Sequence, residues 1–315
     1  MVCIVTPGTK AANNGNWRTA ARWAQMLRDR YQVIVQTEWR GERVDAMVAL
    51  HARRSADSIK AFRTLHKGGL AVVLTGTDLY RDLPDSVEAA DSVRVADRLV
   101  VLQDDALRML ARGDRGRADV IFQSAERVPG RAKPRGRLDC VAVGHLRDEK
   151  DPRTLFAAWG MLPAQAPIFM RHIGAPLDRE LAAEAKAAAR DPRYRYDGAL
   201  AHTATRRAIA RAHLLVHPSI AEGGANVIVE AIVSGTPVIA SRISGNVGML
   251  GKDYPGYFEA RNAKALARCL VRALEDAAYL RALKSACAGR RALFAPAREK
   301  RAVNALVAGL LDGAA

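Results

Sequence analysis

The chain has 315 residues, 49% of them hydrophobic, and carries a formal net charge of +16 from 49 Lys and Arg against 33 Asp and Glu. That length gives room for two domains of about 150 residues, each with its own core, and no apolar stretch approaches the roughly 20 residues needed to cross a bilayer, so a soluble chain without stable membrane insertion is expected. The charge by itself would suit nucleic acid, anionic lipid or phosphorylated small molecules, but the arginines are spread through helical segments and are not interleaved with aromatics, only 5% of the chain, which argues against a nucleic-acid platform.

The opening "MVCIVTPG" enters a strand-like run directly, with no basic region, long apolar core or small-residue cleavage site, so a cytoplasmic protein is expected. Cys3, Cys140, Cys269 and Cys287 are far apart and form no paired metal-ligand spacing, as suits reduced thiols, and Cys3 and Cys140 read as strand fillers. Strand-like runs at 2–6, 31–36, 44–50, 70–75 and 98–102 alternate with helical patterns such as 17–29, where Trp17, Ala20, Ala21, Ala24 and Leu27 share a face. Alternation of this kind predicts an α/β fold with a parallel sheet covered on both sides. Asp104 and Asp105 read as an exposed helix start, and no metal site is expected.

A basic stretch bearing Pro and Gly, about 123–137, reads as a linker, after which the alternation restarts. Strands are expected near 138–143, 167–173, 213–217 and 237–240, with helices around 151–160, 178–190, 204–212, 226–234 and 262–275. The closing "REKRAVNALVAGLLDG" predicts an amphipathic helix packed back on the first domain. The expected division is thus two Rossmann-like domains, 1–130 and 131–295, with a C-terminal helix over 296–315.

Open parallel sheets bind ligands at the carboxyl ends of their strands, often where helix N-termini offer free N–H groups to phosphate. Three loops occupy such places: "TPGTKAANNGNW", with Gly15 and Asn16; "GHLRDEK", with Arg147 and Lys150; and "HPSIAEGGAN", beginning near Ser219. In the last, Gly223, Gly224 and Ala225 lead to Asn226, Val227 and an apolar run in which Glu230 is the one charged residue. A carboxylate so placed needs a partner, because an unpaired buried charge costs several kcal/mol. The glycines let a bulky ligand approach, the first-turn amides suit a diphosphate, and Glu230, one turn beyond Asn226, can lean back to accept two ribose hydroxyls. Glu222, on the other side of the glycines, can accept hydroxyls of a second polyol. The β-branched residues of the run suggest a strand hairpin as the alternative, although "GGAN" and "SG" look like the two ends of a helix.

The stretch "EGGANVIVEAIVSGTPVIAS" resembles the nucleotide-sugar signature of retaining glycosyltransferases of family 4, which have the GT-B fold, two Rossmann-like domains facing a central cleft. By that resemblance Glu230 would hold the ribose, Glu222 the sugar hydroxyls, and the amides from Gly224 to Val227 the diphosphate or sugar. The family loop Gly-Arg-Leu, two residues, Glu-Lys-Gly clamps the diphosphate with its Arg and Lys; here it is Gly144-His145-Leu146-Arg147-Asp148-Glu149-Lys150-Asp151. Lys150 matches, His145 replaces the Arg, and Arg147 is the candidate to restore the fixed charge.

On the acceptor side, His51 closes the third strand and is followed by Arg53 and Arg54, while "LTGTDLY" puts Thr77 and Asp78 at the end of the fourth. Each has a bland alternative, a structural histidine and a turn-forming aspartate. The phrases "LHARRSADSI", "VLTGTDLYRDLP", "VGHLRDEKDP" and "SRISGNVGMLGKDYPGYF" are similar to a narrower branch, the selenosugar synthases of selenoneine biosynthesis. That resemblance implies a UDP-sugar and selenophosphate as substrates; no cofactor and no metal are expected, and the candidate catalytic set is His51, Asp78, Lys150 and Glu222, with His51, Arg53, Arg54, Thr77 and Asp78 around the acceptor. The family's Gly-Gly followed by Pro-Glu is replaced by Gly245-Asn246-Val247-Gly248. Transfer to a lipid or polysaccharide hydroxyl at a membrane surface is the alternative within the same donor chemistry.

Overall fold

Strands that are apolar along their whole length need cover on both faces, and the computed structural model, which describes residues 1–9, 15–130 and 132–313, supplies it in two compact units. The first unit is Met1–Ser124 together with Ala295–Ala315. Its elements in order are β1 (Val2–Val5), α1 (Gly15–Leu27), β2 (Val33–Gln36), β3 (Ala46–Leu50), α2 (Ala56–Leu65), β4 (Gly69–Leu74), α3 (Val87–Val95), β5 (Arg98–Val101) and β6 (Ala118–Val120), all strands running parallel in the order β2-β1-β3-β4-β5-β6. Alternate residues of β1 serve opposite cores: Cys3 and Val5 pack with Met47, Phe62 and Leu70, whereas Val2 and Ile4 pack with Trp23 and with Val303, Leu306 and Val307 of the closing helix.

The buried stripe of α1 is Thr19, Ala20, Trp23, Ala24 and Leu27. It is turned from the expected face, leaving Trp17 and Ala21 half-buried. The indole of Trp23 explains the turn, since it donates at 2.7 Å to Glu299 Oε1 in the closing helix.

The second unit, Ala125–Phe294, repeats the plan. It runs β7 (Leu138–Val143), α4 (Pro152–Gly160), β8 (Ile168–Ile173), α5 (Arg179–Ala188), β9 (Tyr194–Tyr196), α6 (His202–Arg211), β10 (Leu214–His217), α7 (Asn226–Ser234), β11 (Val238–Ser241), α8 (Ser244–Leu250), β12 (Tyr257–Phe258), α9 (Ala263–Glu275) and α10 (Ala277–Arg290). The strand order is β12-β11-β10-β7-β8-β9, again all parallel. The closing helix, α11 (Pro296–Asp312), then belongs to the first unit, its Leu310 backbone so near Gly69 that a Cβ there would lie 2.4 Å from the Leu310 oxygen. Among the described residues no helix is long and apolar enough to cross a membrane.

The "NVIVEAIVS" segment is a helix despite its β-branched residues. Gly235, at φ 78°, ends it in the left-handed conformation that a Cβ disfavours, and its amide bonds back to the Ala231 and Ile232 carbonyls. Ile228 through Val233 are all buried, so tertiary cover overrides the strand preference of their side chains.

Candidate active site

In the second unit the chain begins at β7, moves outward to β8 and β9, and returns past β7 to β10, so the loops after β7 and β10 part at the switch in strand order. Such a switch opens a crevice at the carboxyl ends of the two strands. The first loop runs from Gly144 through a tight turn at Asp148–Lys150 to Asp151, which takes a left-handed φ of 45° and caps α4 by accepting from the Thr154 amide. The second carries Pro218 to Ala225 into α7. Two links join them: the Ile220 amide donates to the Glu149 carbonyl at 2.9 Å, and Lys150 Nζ donates to Glu222 Oε1 at 2.5 Å.

His217, the last residue of β10, places Nε2 3.2 Å from the same Glu222 oxygen but off the line of a hydrogen bond. Burial opposes ionisation of Glu222, yet the Lys150 ammonium, helped by the neighbouring His217 ring, outweighs it and holds the carboxyl well below the usual range, so the group is an anion. The backbone beneath is tight. A Cβ at Gly245 would lie 2.0 Å from the Glu222 carbonyl oxygen, so only glycine lets α8 start against this loop. Asn246 donates to the Ser241 carbonyl at 2.9 Å, and Ser241 Oγ donates to the Ser219 carbonyl, which gives Gly245 and Asn246 of the unusual "GNVG" a supporting part. The Ser219 hydroxyl is buried without a protein partner among the described residues. It lines a small cavity with Gly144, His145, Lys150, His172 and His217.

Ala225 stands at the N-cap of α7 with extended backbone, and no side chain caps the first turn. The amides of Asn226 and Val227 precede the first intrahelical bond, made by Ile228 to the Ala225 carbonyl at 2.9 Å, and with Gly223 and Gly224 they present the positive end of the helix to the loop. Glu230 is 6% exposed. Its partner is a residue that periodicity did not single out: His202 Nε2, at the start of α6, lies 2.6 Å from Glu230 Oε1. Arg147 pairs with Glu149 at 3.2 Å while its Nε is buried without a partner among the described residues. His145 accepts from the Ala175 amide at 3.0 Å.

His172 on β8, a wall of the same cavity, bonds Tyr194 at 2.7 Å, and burial pushes its pKa down to about 4. The folded state therefore binds fewer protons than the unfolded chain below about pH 6.5, and the stability that the neutral ring contributes is lost as pH falls from there through 4. Urea unfolding is expected to show a loss of up to about 3 kcal/mol from this group over that window, with a shallower slope in His172→Asn. An unchanged slope in the variant would contradict the assignment.

In the first unit, His51 follows β3 with a left-handed φ of 73°, a conformation that histidine tolerates better than most residues. Its Nδ1 accepts from the Arg54 amide at 3.3 Å, and its Nε2 meets Thr77 Oγ1 at 3.1 Å. Burial is the first cause that lowers its pKa, reinforced by Arg54 and Arg53 and opposed by Asp78 and Asp82, so the ring is neutral near pH 7 and bears its hydrogen on Nε2. Asp78 is fully buried, and its oxygens accept from the amides of Ala52 at 3.0 Å, Thr75 at 2.9 Å and Gly76 at 2.8 Å. These bonds tie the end of β3 to the turn after β4. Arg53 is half-exposed and pairs with Asp82 at 3.3 Å, and Arg54 is exposed. Gly15 and Asn16 open α1; the expected loop before them, residues 10–14, lies outside the described residues.

The family model described as glycosyl transferases group 1 matches residues 125–288. No curated protein matches the chain. Among solved structures, sucrose-phosphate synthase from Thermosynechococcus elongatus superposes with a TM-score of 0.80 at 17% identity, covering 99% of both chains. HepE of Anabaena in complex with UDP and glucose gives 0.75 at 16% identity, also over 99% of both. WaaG, a glycosyltransferase involved in lipopolysaccharide biosynthesis, gives 0.70 at 14%, over 97% of this chain and 99% of its own. The two six-stranded parallel sheets with their flanking helices have the GT-B fold of these structures.

Proposed function

The chain belongs to the group 1 glycosyl transferases, and from that premise we propose that it transfers a glycosyl group from a UDP-sugar to selenophosphate. The observation that carries the donor half is the gathering of Lys150, Glu222, Glu230 and the uncapped start of α7 at one switch in strand order. A neighbour of the same fold binds UDP and glucose. Glu230 accepts the ribose hydroxyls, Glu222 those of the sugar, and the amides of Asn226 and Val227 face the diphosphate. Lys150 now neutralises Glu222. When a diphosphate arrives, the ammonium can serve it as well, so the charge that grows on the departing UDP meets a fixed cation and preorganised dipoles.

The acceptor half rests on the His51 cluster and on the resemblance to the selenosugar synthases. Both nitrogens of His51 are engaged, and Asp78 is occupied by backbone amides. A cluster without a free base suits a nucleophile that arrives ionised better than an alcohol that must lose a proton. Arg53 and Arg54 supply the positive charge such an anion needs. Selenium bonds to the anomeric carbon as the bond from that carbon to the diphosphate oxygen breaks, releasing UDP; hydrolysis of the phosphorus–selenium bond by water then leaves the selenosugar and phosphate.

Purified protein offered several UDP-sugars with selenophosphate should release UDP faster than with water or alcohols, and mass spectrometry should find the selenium-bearing sugar. UDP release that does not depend on selenium would overturn the acceptor, and faster release with a lipid or saccharide hydroxyl would replace it by that acceptor. Arg53→Ala and Arg54→Ala should weaken the acceptor step at least tenfold while UDP affinity stays within about twofold, since each removes a charge-assisted contact.

A further inference from the structure

A glutamate side chain ends in a torsion with broad, shallow preferences, so a carboxylate that must read a ligand needs something to stop its rotation. Glu230 has such a stop in α6. Strands β9, β10 and β11 are parallel, so α6 and α7, which connect them in turn, both begin at the carboxyl edge of the sheet. His202 is the first residue of α6, and Glu230 lies one turn inside α7. The ring spans the two helices, with Nε2 2.6 Å from Oε1. A carboxylate can only accept, so the hydrogen sits on Nε2. Among the described residues no protein group is bonded to the other carboxylate oxygen. The exposures match this division of labour: the Glu230 side chain is 8% exposed and the His202 side chain 41%, so the histidine stands at the rim and the acid behind it.

We propose that His202 is a positioning residue: by donating to Oε1 it aims Oε2 of Glu230 at the ribose hydroxyls of the donor nucleotide, so that the sugar of the nucleotide is read by a histidine–glutamate pair. This rests on the donor site proposed above. It differs from a role in the fold, because a partly exposed histidine at a helix start can be lost without opening the core.

The test is calorimetric titration of UDP and of 2′,3′-dideoxy-UDP into four proteins. The native protein should prefer UDP. His202→Ala should bind UDP about tenfold more weakly and the dideoxy compound unchanged, as loss of one charge-assisted hydrogen bond implies. His202→Gln, whose amide donates from nearly the same place, should stay within about threefold of native on UDP. Glu230→Ala should show no preference between the two compounds. Equal losses on both compounds in His202→Ala, or an unchanged preference in it, overturns the positioning role while leaving the donor site in place. A native protein that binds neither compound overturns the donor site and this inference with it.

Discussion

Glu230→Ala is expected to bind UDP about a hundredfold more weakly than the native protein, because in the proposed donor site it removes the charged acceptor of two ribose hydroxyls, each worth about 1.5 kcal/mol. Thermal or chemical unfolding makes the loss visible. At a UDP concentration one hundred times the native Kd, the ligand raises native stability by about 2.7 kcal/mol, and a hundredfold weaker variant gains only about 0.4 kcal/mol. The fold itself should tolerate the change. The truncation removes a buried charge and leaves behind only His202, whose side chain is 41% exposed and can turn to water. Equal stabilisation of the two proteins by UDP would remove Glu230 from the nucleotide site.

Glu299→Ala should be the most damaging single substitution to the first unit, about 3–5 kcal/mol, the usual cost of stripping one partner from a buried ionic network. Glu299 is 1% exposed. Its Oε2 accepts from Arg22 Nε and the Ser124 amide, both at 2.8 Å, and from Ser124 Oγ; its Oε1 accepts from Trp23 Nε1 at 2.7 Å and Arg22 Nη2 at 3.0 Å. One carboxylate thus fastens α11 to α1 and to the residue at which the chain leaves the unit. Alanine would strand a half-buried guanidinium, an indole N–H and a buried serine together. Glu299→Gln, which keeps the volume and loses the charge, should cost less. An unfolding free energy from urea titration within about 0.5 kcal/mol of native for the alanine variant would show that the network is dispensable.

The features that were legible are those with a local signature. The Glu222-to-Glu230 stretch carried its own ends, two glycines before and Ser-Gly after, and the structure makes it a helix with Glu230 buried one turn in. Alternation of strand and helix was readable because both faces of each sheet are covered, which makes strands uniformly apolar. Strands of two or three residues, β6, β9 and β12, are too short to show a period and were not expected. Partnerships across the chain left no trace either. His202 and Glu230 are 28 residues apart, and Glu299 reaches Trp23 over 276. A polar residue in an amphipathic helix has the same signature whether it faces solvent or a buried arginine, and only packing tells the two apart. His217 had a usable signal, a strand-end position just before the Pro-Ser turn. Asp78 had an ambiguous one, since a strand-end aspartate looks the same whether its oxygens face a ligand or the amides of Ala52, Thr75 and Gly76.

The return of α11 to the first unit has a consequence for synthesis on the ribosome. Val2, Ile4 and Trp23 are made before the second unit, but side chains that help to cover them, Val303, Leu306, Val307 and Leu310, emerge only after it. Domains ordinarily fold as they leave the tunnel, N-terminal first. Here one face of the earlier sheet waits with only part of its cover, that of α1, while the later unit is completed, which makes the nascent chain a natural client for a holding chaperone until α11 docks.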